Sequence, residues 1–133
     1  MQMNKSETQS FELNLNVKSA VPIFEQIKNA IKTAIFLKKL NEGHQLPSIR
    51  DLALKHKINP MTALKAYSLL EIEGFLYSRR GSGFFVHVDR EKVKKEKQGV
   101  FEKEVKEFIE KINDLGYSVS DLKNELEKRL KGK

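Results

Sequence analysis

Two helix starts in close succession, at Ser48 and at Asn59-Pro60, constrain this chain more than any other feature of it. Ser48 followed three residues later by Asp51 is a capping-box-like beginning, with Asp standing in for Glu. Asn59 is a good N-cap, and Pro60 suits a first helical position because it has no N–H to leave unpaired. The first of these helices is expected to bury Ile49, Leu52 and Ala53 and to end near His56. The second is expected to bury Ala63, Ala66, Tyr67 and Leu70 and to end at Gly74. Phe75-Leu76-Tyr77 and Phe84-Phe85-Val86 read as short strands by content, joined by a flexible basic loop, Arg79-Arg80-Gly81-Ser82-Gly83. A helix pair with so tight a turn can place its second helix in a DNA major groove, and a basic hairpin just after it can reach the neighbouring backbone or minor groove. No enzyme needs that order of parts.

The flanking segments are simpler. Residues 1–10 are polar and are expected to be disordered. Phe11, Leu13, Leu15 and Val17 alternate with polar residues, which predicts a short strand. Pro22 sits at an expected first helical position, and Ile23, Ile27, Ile31 and Ile35 recur every four residues in an amphipathic helix running to about Lys39. After Asp89 the composition turns to Lys and Glu. There Phe101, Val105, Phe108, Ile112 and Leu115 form a heptad seam, with Ile109 beside it. Gly116 closes that helix, and Ser118 with Asp121 caps another that carries Val119, Leu122, Leu126 and Leu130 on one side.

Charge fits a polyanion partner and narrows the classes. Residues 1–88 hold 12 basic and 7 acidic side chains, whereas residues 89–133 hold 13 and 11, so the positive excess sits mainly on the first part. With no cysteine there is no disulfide frame and no thiolate chemistry. His44, His56 and His87 lack metal-ligand spacing, and no acid pair or nucleophile–base set stands out, so neither a metal, a cofactor nor an enzyme activity is expected. Gly81-x-Gly83 without a following Lys-Ser/Thr is too weak to be a phosphate loop. The first residues lack an apolar signal core and no apolar run approaches membrane length, so a cytoplasmic location without membrane association is expected.

Taken together the residues resemble the GntR family of bacterial transcription regulators. The likeness rests on Pro22-Ile23-Phe24-Glu25-Gln26-Ile27, on Leu46-Pro47-Ser48-Ile49-Arg50-Asp51-Leu52-Ala53, and on Asn59-Pro60, Thr62, Ala66-Tyr67, Leu70-Glu71, Glu73-Gly74-Phe75 and Arg79-Arg80-Gly81-Ser82-Gly83. The Asn-Pro start, the Ala-Tyr pair and the Tyr-Ser-Arg-Arg-Gly wing resemble the small YtrA-type subfamily, and so does a tail too short for a metabolite-binding domain. Departures from the family pattern are Lys57 where the turn usually has Gly, Met61 where Asn is frequent, Phe84 in place of Thr, and Glu42 in place of Pro. If the turn needs a positive φ, Lys57 is mildly strained.

The resemblance implies a mainly α fold with a small β-hairpin wing: a winged helix-turn-helix over residues 11–88 and a helical dimerisation tail over 89–133. It also implies contact with double-stranded DNA from Arg50. Ser48 is first a cap, whose neighbouring N–H groups can hold a phosphate. Asn59, Pro60, Met61, Thr62 and Lys65 lie on the first two turns of the second helix, which lead into the groove. Thr62 can bond a phosphate or base edge, Lys65 a phosphate or guanine, and Met61 can lie against a thymine methyl. Asn59 serves as cap or as base contact. On the wing, Arg79, Arg80, Gly81 and Ser82 are candidates, Arg80 ahead of Arg79 because adjacent strand residues point oppositely. Tyr67 is expected in the core with its hydroxyl near the surface.

The seam of Phe101, Val105, Phe108, Ile109, Ile112 and Leu115, with Leu122 and Leu126, is expected to bury in a homodimer that presents two recognition helices to a pseudo-palindromic operator. Repression is implied by the resemblance, as is control of a transporter operon. Any small-molecule effector would have to use the dimer interface or the cleft between domain and tail. The competing expectation is a winged helix used as a protein-interaction or RNA-binding module.

Overall fold

The computed structural model describes residues 11–132; residues 1–10, where disorder is expected, lie outside the described residues. The elements in order are α1 (Ile23–Phe36), α2 (Ile49–His56), α3 (Pro60–Ile72), β1 (Leu76–Arg79), β2 (Gly83–Val86), α4 (Arg90–Asp114) and α5 (Val119–Lys131). They fall into two compact units, one reaching to Val93 and the other starting at Lys94.

In the first unit three helices close around one apolar core. Ile27, Ile31, Ala34 and Ile35 enter it from α1, Leu52 and Ala53 from α2, and Ala63, Ala66, Tyr67 and Leu70 from α3. Each fully buried branched side chain stabilises the fold by roughly 1.5–3 kcal/mol. The two cap readings hold. Ser48 Oγ accepts the Asp51 N–H at 3.0 Å. Asn59 Oδ1 accepts the Met61 N–H at 2.8 Å, with Pro60 as the first helical residue. Away from the core, Lys28 and Lys32 both reach the Glu73 carboxylate, at 2.6 and 2.7 Å, and so tie α1 to the end of α3. Burial alone would push that carboxyl up, but the two lysine hydrogen bonds outweigh it and hold Glu73 below its ordinary value.

Several sequence expectations are corrected. Residues 11–16 form no strand. Phe11, Leu13 and Leu15 do pack against the core while Glu12, Asn14 and Asn16 face out, so the alternation is real but has no strand partner among the described residues. Gln26 ties the segment down instead: its amide donates to Asn16 O at 2.9 Å and Val21 O at 2.8 Å, and its Oε1 accepts the Asn16 N–H. Pro22 is the N-cap of α1 and not its first helical residue. That helix stops at Phe36, short of Lys39, because Lys38 takes a left-handed φ of 62°. The Lys39 N–H then returns to Ala34 O at 2.8 Å, and the reversal carries Leu40 into the core.

The hairpin pairs Leu76 with Val86, Tyr77 with Phe85, Ser78 with Phe84 and Arg79 with Gly83. Phe75 therefore precedes the first strand, and Arg79 and Gly83 belong to the ladder and not to the loop. Residues 43–46 run along the other edge of β2. Gly43 N donates to Val86 O, Val86 N to His44 O and Leu46 N to Phe84 O, at 2.8–3.0 Å, and Gln45 bridges Phe85.

The second unit holds most of α4 and all of α5. Gly116 and a full capping box at Ser118, with Asp121 N–H to Ser118 Oγ at 3.1 Å and Ser118 N–H to Asp121 Oδ2 at 2.9 Å, separate the two helices. Neither helix has a buried residue among those described.

Between α2 and α3, Lys57 sits at φ 55°, ψ 48°, and its N–H and that of Ile58 both return to Ala53 O. A side chain in this left-handed region costs roughly 1–2 kcal/mol, part of which glycine gives back through unfolded-state entropy. Lys57→Gly is expected to stabilise the domain by about 0.5–1 kcal/mol, read as a higher urea midpoint at unchanged slope. An equal or lower midpoint would show that the turn is unstrained.

Candidate nucleic-acid interface

The candidate contacts divide by what their side chains are already doing. Met61 stands at the start of α3 with 67% of its surface exposed. Its neighbour Thr62 is half-buried, and no acidic residue occupies the first turn of α3. The helix dipole gives that turn positive character. Asn59 is used as a cap, and so is Ser48. Arg50 is exposed in the first turn of α2, and its guanidinium makes no hydrogen bond, ion pair or ring contact among the described residues.

Two of the basic candidates are held by aromatic rings. The Lys65 Nζ lies 3.9 Å from the centre of the Phe24 ring of α1, a cation–π contact that fixes the side chain across two helices. The Arg79 guanidinium lies 5.5 Å over Phe85. Phe85 is stacked in turn on Tyr77, with ring centres 5.5 Å apart and planes 22° apart. This is the outward face of the hairpin, since paired residues share a face.

Arg80 is different. It lies in the turn with Gly81 and Ser82, is exposed, and has no side-chain partner among the described residues. The turn is closed by Ser82 N–H to Arg79 O at 2.9 Å, with Gly81 at φ 78°, a corner that favours glycine.

Tyr67 lies in the core: the residue is 1% exposed, and its O–H donates to O of the half-buried Pro47 at 2.8 Å. Burial pushes the phenol well above its ordinary range, so it remains a donor. Its ring meets Phe84 edge-on, with centres 5.0 Å apart and planes at 70°. One side chain of α3 thus touches both the entry to α2 and the hairpin. Gln45 is the residue that sequence reasoning passed over; its Nε2–H donates to Ser82 O at the turn, at 2.6 Å. The only signal was His44-Gln45-Leu46, buried, exposed, buried, which is too short for a period to be read from it.

A helix pair, a basic hairpin braced against it and an open first turn on the second helix define a winged helix-turn-helix of the DNA-binding kind. The profile of bacterial regulatory proteins of the gntR family matches residues 23–86. The uncharacterized HTH-type transcriptional regulator YhcF of Bacillus subtilis is 31% identical over 105 residues, 79% of this chain and 87% of YhcF. The HTH-type transcriptional repressor YtrA of the same organism is 36% identical over 74 residues, 56% of this chain and 57% of YtrA. A GntR family transcriptional regulator from Listeria monocytogenes superposes with a TM-score of 0.73 at 28% identity, over 84% of this chain and 97% of that one. The chain belongs to the GntR family and fits its YtrA-type branch: it is a DNA-binding transcriptional regulator and not an enzyme.

Tyr67→Phe keeps the ring and removes the donor to Pro47 O. Losing one such bond costs about 0.5–1.5 kcal/mol, and the denaturation midpoint should fall accordingly. An unchanged midpoint would mean that another donor replaces the hydroxyl.

Proposed function

We propose that this regulator is a cytoplasmic repressor that binds a pseudo-palindromic duplex operator as a homodimer, and that its targets include a transporter operon. The observation that carries the reading is the open first turn of α3, where Met61 is exposed and no acid opposes a phosphate. Met61 and Thr62 then meet base edges, Lys65 reaches a base or phosphate past Phe24, and Asn59 and Pro60 set the start of the helix. Arg50 and the N–H groups beside Ser48 take backbone phosphates. Arg80, with Gly81 and Ser82, takes backbone or minor groove, while Arg79 shapes the wing. The name of the relative YtrA supports repression.

Support for the homodimer comes from the tail. Phe101, Val105 and Phe108 of α4 and Leu115 just after it are exposed, Ile109 and Ile112 are half-buried, and on α5 Leu122 is half-buried and Leu126 exposed. So much apolar surface on charged helices needs a cover, and a second copy supplies an identical one. Two copies present two α3 helices, as a palindrome requires.

Base contacts discriminate sequence, and phosphate contacts set affinity. Met61→Asn should change the base preferred at one position of each half-site, losing about 1–3 kcal/mol on the native operator. Arg80→Ala should weaken specific and scrambled duplex alike and flatten the salt slope by about 0.9 for every phosphate that each subunit no longer neutralises. Titrations at several salt concentrations measure both, and two variants that bind like the parent would refute this docking.

Phe108→Glu should leave the first unit folded, convert the dimer to monomer in sedimentation, and weaken the full operator far more than a single half-site. An unchanged dimer would remove the tail from the interface.

A further inference from the structure

We propose that Gln45, a residue outside the wing, is the positioning residue for the wing tip and thereby for Arg80; the proposal rests on reading Arg80 as a DNA contact. The tip is a short turn in which Arg80, Gly81 and Ser82 stand between the last paired residues, Arg79 and Gly83. Its backbone is closed by one bond of its own, Ser82 N–H to Arg79 O. The second restraint comes from outside, where the Gln45 amide donates to Ser82 O at 2.6 Å. The acceptor is a carbonyl, so the NH2 group of the amide must face it.

The surroundings are arranged for this bond. Gln45 lies beside Phe85 in an antiparallel bridge, and the Leu46 N–H donates to Phe84 O, which fixes the level at which the side chain leaves the backbone. Gly83 admits it: a Cβ at that position would stand 3.3 Å from Gln45 Nε2, and its φ of 114° is one that side chains rarely adopt.

The next three residues of the chain give the bond its consequence. Two positions beyond Gln45, Pro47 O takes the Tyr67 hydroxyl of α3. One residue further, Ser48 caps α2. The stretch from Gln45 to Ser48 therefore holds the wing tip, the recognition helix and the helix carrying Arg50 through three adjacent attachments. Contacts fixed before binding lose less freedom on binding. Without Gln45, Arg80 keeps its charge but must be ordered by the DNA itself.

The test uses the full-length protein and two variants. Gln45→Met has similar length and no donor; Gln45→Glu keeps the shape and loses the donor. In free protein, backbone order parameters from nitrogen-15 relaxation should fall at Arg80, Gly81 and Ser82 in both variants and stay unchanged along α3. In operator titrations Gln45→Met should weaken binding about three- to tenfold, the range for one hydrogen bond of ordinary strength. Arg80→Ala made in that background should cost clearly less than Arg80→Ala alone. An unchanged order parameter at the tip overturns the proposal, and so do losses that multiply as for independent sites. If Arg80→Ala alone leaves binding unchanged, it is the reading of Arg80 that fails; the relaxation data on the tip still decide what Gln45 does.

Discussion

The orientation of α3 depends on where Tyr67 is held. It is buried on α3, donates to the carbonyl of Pro47 and meets Phe84 of the wing edge-on. A recognition helix is useful only if its angle to the rest of the domain is fixed, and apolar packing alone fixes angles loosely. A directed bond to the backbone just ahead of α2, with a ring contact to β2, supplies what packing lacks. Ala63 and Ala66 on the same helix are fully buried and small, which lets α3 sit close against its neighbours. Tyr67 provides the reach and the direction.

A similar division of labour governs the basic side chains. Lys28 and Lys32 are engaged by Glu73, Lys65 leans on Phe24, and Arg79 lies on Phe85. Net charge thus overstates what is available to a polyanion. Arg50 and Arg80 have no partner among the described residues, and they sit on α2 and in the hairpin turn, on either side of α3 in the chain. On the proposed reading, long-range attraction is served by all the positive charge, whereas specific contact falls to the few groups that need break nothing to bind.

The tail obeys a different rule. Among the described residues α4 and α5 bury none, yet the apolar positions of α4 recur with heptad spacing and those of α5 line one side. Their local order comes from caps and charged pairs: the Ser118–Asp121 box, Lys103 with Glu107, and Arg129 with Glu125. Exposed pairs of this kind contribute only a few tenths of a kcal/mol each. A helix of that composition draws most of its stability from packing its apolar face, which is why a second copy is proposed there.

Much of this could be read from the amino acids. Ser48, Asn59-Pro60 and Ser118–Asp121 are caps whose bonds close within three residues, so sequence alone determined where α2, α3 and α5 begin. The four-residue recurrence of isoleucine determined the buried face of α1, and the ordered motifs determined the family. What escaped was decided by contacts between distant residues. The end of α1 at Lys38 has no glycine to mark it. The segment at Phe11 alternates as a strand does, but it pairs with no strand among the described residues, and Gln26 holds it through side-chain bonds. The role of Gln45 exists only because residue 82 folds back over it, 37 positions along the chain. The partner of the Tyr67 hydroxyl is a carbonyl 20 residues earlier. Capping and periodicity are local and are written in adjacent letters; a hydrogen bond across the fold depends on the backbone path between its ends, which only the packed tertiary structure decides.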